Sequence, residues 1–336
     1  MRSKNIFPLI LSLILLGIVS LLMVSNIVDS SIQTNGRKNI SIFVPTEGTS
    51  ISELLDSLES VGEIKYSYAT SILANLKGYD SARFGHYTLD STLGRIQFLR
   101  KLNFGYEDPI DFSIKGYRDK QSFLRELKYV FPWSLDSLEH YVGSNDSWTH
   151  IIPNTYEIYW SSTPDEISKR IQREFDAFWG SYRRRKAEEL GLSPNEIMIL
   201  ASISQAETKA MDELPRVAAL YISRLRIGKR LESDPTAVYA YRDIHPESDI
   251  IRRVSRKITR IVHPYNTYII PGLPPSPIAT VDPAVIDAVL RAEPKGELYM
   301  CADPNRIGYH NFTASYREHL INSSKYHRSL NRRKIH

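Results

Sequence analysis

Residues 191–208, GLSPNEIMILASISQAET, constrain this chain more than any other stretch: they read as a helix that is apolar along nearly its whole length and therefore needs a core around it. Ser193 supplies an N-cap hydroxyl, Pro194 takes the first helical position, Glu196 closes a capping box, and Leu192 can staple onto Ile197. Counted onward by fours, Ile199, Ile203 and Glu207 fall on one stripe, which puts the acid at the C-terminal end of an apolar row. Desolvation disfavours the carboxylate there, and so does the negative end of the helix dipole. Both predict a carboxyl titrating above the usual value of about 4.3 and able to donate a proton near neutral pH. The pattern leaves a second reading open, in which the acid is exposed or paired with a base such as Arg216 or Arg224.

The chain has 336 residues, 42% hydrophobic and 24% charged, enough for two or three compact units with cores of their own. Its net charge is +5, but 43 Lys and Arg are dispersed among 38 Asp and Glu, which suggests anionic surfaces without singling out nucleic acid, and none is expected as a partner. The one cysteine, Cys301, excludes an intramolecular disulfide framework and a Cys-rich zinc site. There is no Gly-rich phosphate loop, HExxH or nucleophile elbow, and the nine histidines lack metal-ligand spacing, so neither a metal nor an organic cofactor is expected.

Residues 5–28, NIFPLILSLILLGIVSLLMVSNIV, carry no charge, and at about 1.5 Å per residue they are long enough to cross a hydrocarbon core of about 30 Å. Arg2 and Lys4 precede them and Asp29 follows, so residues 1–4 are expected in the cytoplasm and the C-terminal part outside it. A cleaved signal peptide fits less well, because its apolar core is shorter and a small-x-small site should follow. A polar linker, 29–39, leads to a strand in which Ile40, Ile42 and Val44 alternate, and then come two helical patterns and a returning strand in ARFGHYTL. The order strand, helix, helix, strand over 40–112 resembles a LysM-like fold, a module associated with glycan chains. Residues 113–192 read as a helical middle region packed with the part that follows. Its clearest helix starts at Thr163 with a capping box to Glu166 and is expected to end in the basic run YRRRK at 182–186.

Three longer stretches, LASISQAETKAMDELPRVAALYISRLRIGKRLESDPTAVYA, HPYNTYIIPGLPPSPIATVDPAVIDAVL and YHNFTASYREH, resemble the YceG/MltG-like endolytic murein transglycosylases of bacteria, as does PNTYEIYW in the middle region. The resemblance covers roughly 190–330 and implies an α+β protein. Its parts would be an N-terminal transmembrane helix, a small LysM-like domain, a mixed α/β YceG-like catalytic domain over 193–330, and a basic tail at 331–336. It places the family's catalytic glutamate on Glu207. Three positions depart from the family's pattern: Gln205 stands where a Glu is frequent, Ser223 where NRL has Asn, and Glu232 where LQxDPT has Gln.

The resemblance implies an endolytic enzyme that cuts the MurNAc-GlcNAc bond within nascent strands and leaves 1,6-anhydro-MurNAc ends, limiting strand elongation. It would be a single-pass protein of the cytoplasmic (inner) membrane with its catalytic part in the periplasm. Its partners would be peptidoglycan strands, with peptidoglycan synthases as candidates. One acid suffices for such a reaction because the substrate's own C6 hydroxyl is the nucleophile. A muramidase-type hydrolase would need a second carboxylate, for which Glu232 and Asp234 are the candidates. A glycan-binding scaffold for cell-wall synthases would need none.

The Pro- and Gly-rich segment HPYNTYIIPGLPPSPIA offers Tyr265, Asn266 and Tyr268 to a sugar cleft through ring faces and an amide. Asp234 is read as a cap of the following helix or as a cleft residue, and His310 and Asn311 as glycan contacts or structural groups. Arg252, Arg253, Arg256, Lys257 and Arg260 fall on one side of a helical pattern.

Overall fold

The structure is a computed structural model that describes residues 10–20, 30–248, 251 and 254–332. Residues 10–20 form a helix, α1, with exposed side chains. The tail 1–4 and the flanks of the expected span 5–28 lie outside the described residues, as do Arg252, Arg253 and 333–336. No helix among the described residues is long and apolar enough to cross a membrane. The chain divides into two compact units, Met1–Phe112 with Tyr156–Ser162, and Ser113–Thr155 with Thr163–His336.

In the first unit, β1 (Gln33–Thr34) precedes β2 (Asn39–Val44), β3 (Thr49–Ser50), α2 (Ile51–Ser60), β4 (Ile64–Lys65), α3 (Ser67–Lys77), β5 (Ser81–Ala82), β6 (Gly85–Asp90) and α4 (Arg95–Phe104). Residues of β2 alternate between solvent and core, and the strand pairs antiparallel with β6, Ile42 opposite Tyr87. Ile40, Ile42, Val44, Leu55, Leu89 and Phe98 form the centre of its core. The expected strand, helix, helix, strand order is present, with short strands and α4 added.

Two boundaries differ from those read in the sequence. Residues 30–39 of the expected linker are part of this unit, because Ile32 is 1% exposed in its core and β1 pairs with β4. Residues 156–162 also belong here and not with the helical middle region, since the Trp160 ring lies 5.2 Å from both Phe43 and Phe84.

β7 (Ile110–Ile114) leads into the second unit, whose helices α5 (Lys120–Val130), α6 (Leu135–Val142) and α7 (Asn145–Thr149) come before β8 (Asn154–Ile158). Then follow α8 (Pro164–Phe178), α9 (Ser181–Leu190), α10 (Pro194–Glu207), α11 (Leu214–Arg226), α12 (Asp234–Ile244), α13 (Arg256–Thr259), α14 (Pro283–Val289), β9 (Tyr299–Ala302), β10 (His310–Thr313) and α15 (Tyr316–Arg332). Trp148 Nε1 donates to Pro277 O at 2.7 Å and Tyr117 N to Thr280 Oγ1 at 2.7 Å, which ties the helices before β8 to the loop before α14.

The run YRRRK opens a helix of its own instead of ending α8, because the chain breaks at Trp179 and Gly180. Its bases are paired within the fold, Arg183 with Asp287 at 2.8 Å and Lys186 with Glu189 at 2.7 Å. Of the basic set beyond residue 250, Arg256 and Lys257 lie in the four-residue α13 and Arg260 caps it, while Arg252 and Arg253 lie outside the described residues.

The two capping boxes expected at Thr163 and Ser193 are both formed. α10 is buried on every side from Ile197 through Ser204, a wider burial than the single stripe read from spacing. Its two serines cost little there, because Ser202 Oγ donates to Ile199 O at 2.7 Å and Ser204 Oγ to Leu200 O at 2.9 Å. α11, α12 and α14 pack around it.

Candidate active site

Glu207 is the last residue of α10, and two hydroxyls converge on one of its carboxyl oxygens. Tyr221 Oη, from α11, and Ser233 Oγ, at the N-cap of α12, each donate to Oε1 at 2.6 Å. Oε2 has no protein partner among the described residues. The residue keeps some accessible surface, yet protein atoms crowd it closely, and that desolvation raises its pKa. The hydrogen bonds from Ser233 and then Tyr221 pull the other way, Asp234 adds to the rise, and His310 opposes it. Among the described residues no arginine pairs with the acid: Arg216 is engaged by Glu297 at 2.6 Å, and Arg224 by Leu231 O at 2.5 Å and Leu298 O at 2.7 Å. Burial beside the carboxylate pushes the Tyr221 phenol well above its ordinary value, so it remains a donor.

A buried hydroxyl network fixes Ser233. Its backbone N–H meets Thr267 Oγ1 at 3.0 Å, Thr236 Oγ1 donates to Ser233 O at 2.7 Å, and the two threonine hydroxyls lie 2.7 Å apart. The preceding residue, Glu232, has φ +51°, a left-handed conformation rare for a side-chain-bearing residue, while its N–H bonds Thr267 O at 3.2 Å. The Ser233 hydroxyl therefore points at Glu207 and leaves its own helix without a side-chain cap.

A cleft of about 1010 Å³ opens beside the acid, lined among others by Asp234, Tyr239, Arg242, Tyr265 and Ile278. Tyr239 and Tyr265 pack with ring centroids 4.6 Å apart, and the Tyr265 hydroxyl is 2.5 Å from Ser276 Oγ. Such a wall suits a pyranose face. Asp234 is the first residue of α12, not its cap as the sequence suggested, and accepts a hydrogen bond from Tyr268 Oη at 2.7 Å.

The other expected contacts are placed elsewhere. Asn266 is 0% exposed; its Nδ2 donates to Thr259 O and Ile261 O at 3.1 and 2.7 Å and its Oδ1 accepts from Tyr268 N at 3.1 Å, so it braces the loop instead of lining the cleft. Glu232 is held by Arg224 at 3.3 Å and Lys229 at 3.5 Å and is not among the cleft's walls. Asn311 lies in β10 opposite Cys301, also outside those walls. Its neighbour His310 binds the buried Glu213 through Nδ1 at 2.9 Å and through its N–H at 2.7 Å. Gln205 bridges the α14 approach, donating to Thr280 O at 3.1 Å and accepting from Asp282 N at 3.0 Å, a pairing that a glutamate could not make in full. Spacing gave no notice of Ser233, Tyr221 or Arg242; a serine just before an Asp-Pro helix start was the one legible trace.

The chain matches the YceG-like family over residues 43–325. It belongs to that family. This family member is similar to an endolytic murein transglycosylase of Bacillus subtilis (strain 168), 24% identical over 332 residues that span 89% of this chain and 88% of the relative. It is also similar to an endolytic murein transglycosylase of Streptococcus pneumoniae serotype 2 (strain D39 / NCTC 7466), 22% identical over 317 residues. Those cover 81% of this chain and 56% of the pneumococcal protein, so the chain spans about half of that relative's length. The crystal structure of a YceG-like protein from Listeria monocytogenes shares the fold, with a TM-score of 0.50 at 22% identity over 84% of this chain and 98% of that one.

Proposed function

We propose that this chain is an endolytic lytic transglycosylase that cuts peptidoglycan strands at the MurNAc-GlcNAc bond and leaves 1,6-anhydro-MurNAc ends. The observation that carries the reading is one desolvated carboxyl whose Oε1 is saturated by two hydroxyls while Oε2 has no protein partner among the described residues, beside a sugar-sized cleft. Glu207, whose pKa desolvation raises, gives its proton to the glycosidic oxygen as the bond from C1 to that oxygen breaks. The carboxylate that remains then takes the proton of the C6 hydroxyl as O6 closes on C1, and the acid is regenerated. The nucleophile is already part of the ring, which supplies the proximity advantage and dispenses with a bound water. Ser233 and Tyr221 hold the carboxyl through both steps and stabilise the charge between them.

The charge-free segment 5–28 with Arg2 and Lys4 before it supports a single-pass anchor in the cytoplasmic membrane, with the catalytic part in the periplasm. There the enzyme would meet nascent strands, limit their elongation and work beside the synthases that make them. A hydrolase is the second reading, because Asp234 shares the cleft with Glu207 and could activate water. Incubating the protein with purified glycan strands and identifying the new ends separates these readings. Anhydro ends are expected. Free reducing ends would replace the proposal with hydrolysis, and uncut strands would leave a glycan-binding scaffold.

A further inference from the structure

One stripe of α12 faces the cleft. Asp234, Val238 and Arg242 follow at intervals of four residues, and all three line it. Arg242 stands eight residues beyond Asp234, about 12 Å along the helix axis. That distance places it at a neighbouring part of a bound strand and away from the ring being cleaved.

The charges around Arg242 are engaged with other groups. Asp119, the N-cap of α5, accepts from Ser122 N at 2.7 Å and Ser122 Oγ at 2.6 Å. Lys120 donates to Gly143 O at 2.6 Å, Arg125 to Ser122 Oγ at 3.1 Å, and Asp243 pairs with His263 at 3.1 Å. Arg118 reaches only Asp119, at 3.4 Å, and is otherwise largely open. Arg242 has no hydrogen-bond or ion-pair partner among the described residues, and it is half-buried in the cleft wall. Desolvation first, and then the nearby Arg118 cation, lower its pKa, with Asp119 opposing. A base in the last turn of a helix complements the dipole. That role explains a cation at this position but not two guanidiniums lining one cleft, one of them unpaired among the described residues.

We propose that Arg242, with Arg118 beside it, is an anion subsite that receives a free carboxylate of the peptide stem carried by the glycan strand. The inference rests on the peptidoglycan reading and adds to it the part of the substrate read beyond the sugar. A guanidinium offers a planar pair of donors that fits a carboxylate in bidentate fashion. Stems repeat along the strand, so an enzyme that cuts internally meets one at a fixed distance from every scissile bond, whereas a lipid diphosphate occurs only at a strand end.

The test uses the full chain carrying Glu207→Gln, which binds without cutting, and the same chain with Arg242→Gln added. Soluble stem-bearing oligosaccharides are prepared in two forms, with stem carboxyls free or converted to amides by carbodiimide and ammonia. On the free-carboxyl form, Arg242→Gln is expected to weaken binding about tenfold to a hundredfold, the range for losing a charge-assisted pair. On the amidated form the two proteins should bind alike. With Glu207 intact, Arg242→Gln should raise KM for stem-bearing strands and leave kcat little changed. Arg242 makes no hydrogen bond or ion pair among the described residues, so the melting temperature should fall by no more than the few degrees that its dipole complement accounts for. Equal loss on both forms, no loss on either, or a loss confined to strands ending in a lipid diphosphate overturns the subsite. Absence of cleavage by the wild-type chain would instead count against the transglycosylase reading, since the binding comparison does not depend on turnover.

Discussion

Glu207→Gln separates the acid from the shell that holds it. Glutamine is nearly isosteric: its Oε1 can keep both 2.6 Å hydroxyl bonds, and its Nε2 takes the place of Oε2. The variant therefore copies the protonated state and cannot transfer a proton. Each general acid or base step is worth about a hundredfold to ten-thousandfold, so cleavage should fall at least that much. Stability should move the other way, and its pH dependence is the sharper test. The folded-state pKa is raised above the unfolded value of about 4.3. The acid's contribution to stability is therefore fully present below that pH and is lost as pH rises through the folded pKa.

The opposing terms are large. Hydrogen bonds to a charged acceptor contribute about 1.5–3 kcal/mol each against about 1 for a neutral one, so two of them favour ionisation by about 1–4 kcal/mol. Desolvation still exceeds this, because the net direction is upward. At pH 8 Glu207→Gln should thus gain on wild type relative to pH 4, in the direction set by the raised folded-state pKa. For a unit of this size each 1 kcal/mol gained raises Tm by about 2–4 °C. Thermal unfolding followed between pH 4 and 8, with cleavage products resolved by chromatography, measures both effects. A stability difference that stays constant with pH, or a variant that still forms anhydro ends at near wild-type rate, refutes the reasoning.

Ser233→Ala removes a bond that favours the carboxylate, so it should shift the alkaline limb of the activity profile to higher pH while lowering the maximum rate; a limb moving to lower pH would contradict the assigned direction. Asp234→Asn removes a like charge and should move that limb to lower pH with anhydro ends retained, whereas Glu232→Gln, outside the cleft, should leave products nearly unchanged. If either substitution abolishes cleavage outright, a second carboxylate is at work. Asn266→Ala should cost about 1–3 kcal/mol of stability by orphaning buried backbone groups, measured by denaturant unfolding, and a loss of glycan affinity without destabilisation would return that residue to the cleft.

What could be read in advance was local. The capping boxes at Thr163 and Ser193 lie within four residues of their own helices, and the strand over Ile40, Ile42 and Val44 is a pattern of period two. What escaped depends on distant partners. Ser233 looks like an ordinary N-cap, and only the approach of Glu207, 26 residues earlier, turns its hydroxyl away from its own helix. Asn266 in an aromatic loop looks like a sugar ligand until its amide is seen to be saturated by carbonyls of the chain just before it. The isolation of Arg242 is visible only when α5, more than a hundred residues earlier, is brought beside α12.

The rise in the Glu207 pKa shows the same limit in its cause. From the sequence, the C-terminal dipole of α10 and burial act together on the acid. In the fold, the N-cap of α12 bonds the same carboxyl, so the positive end of one helix meets the negative end of another. The two dipoles oppose, and desolvation remains as the leading cause. This arrangement suits a group that must serve twice. In the proposed mechanism the crowded surroundings favour the protonated form of Glu207 before the bond breaks, and once the proton has left, the α12 terminus and the two hydroxyls already face the new charge and need not reorganise. An acid stabilised by a paired arginine would have been ionised from the start, and one buried without donors would have released its proton too reluctantly to take up another.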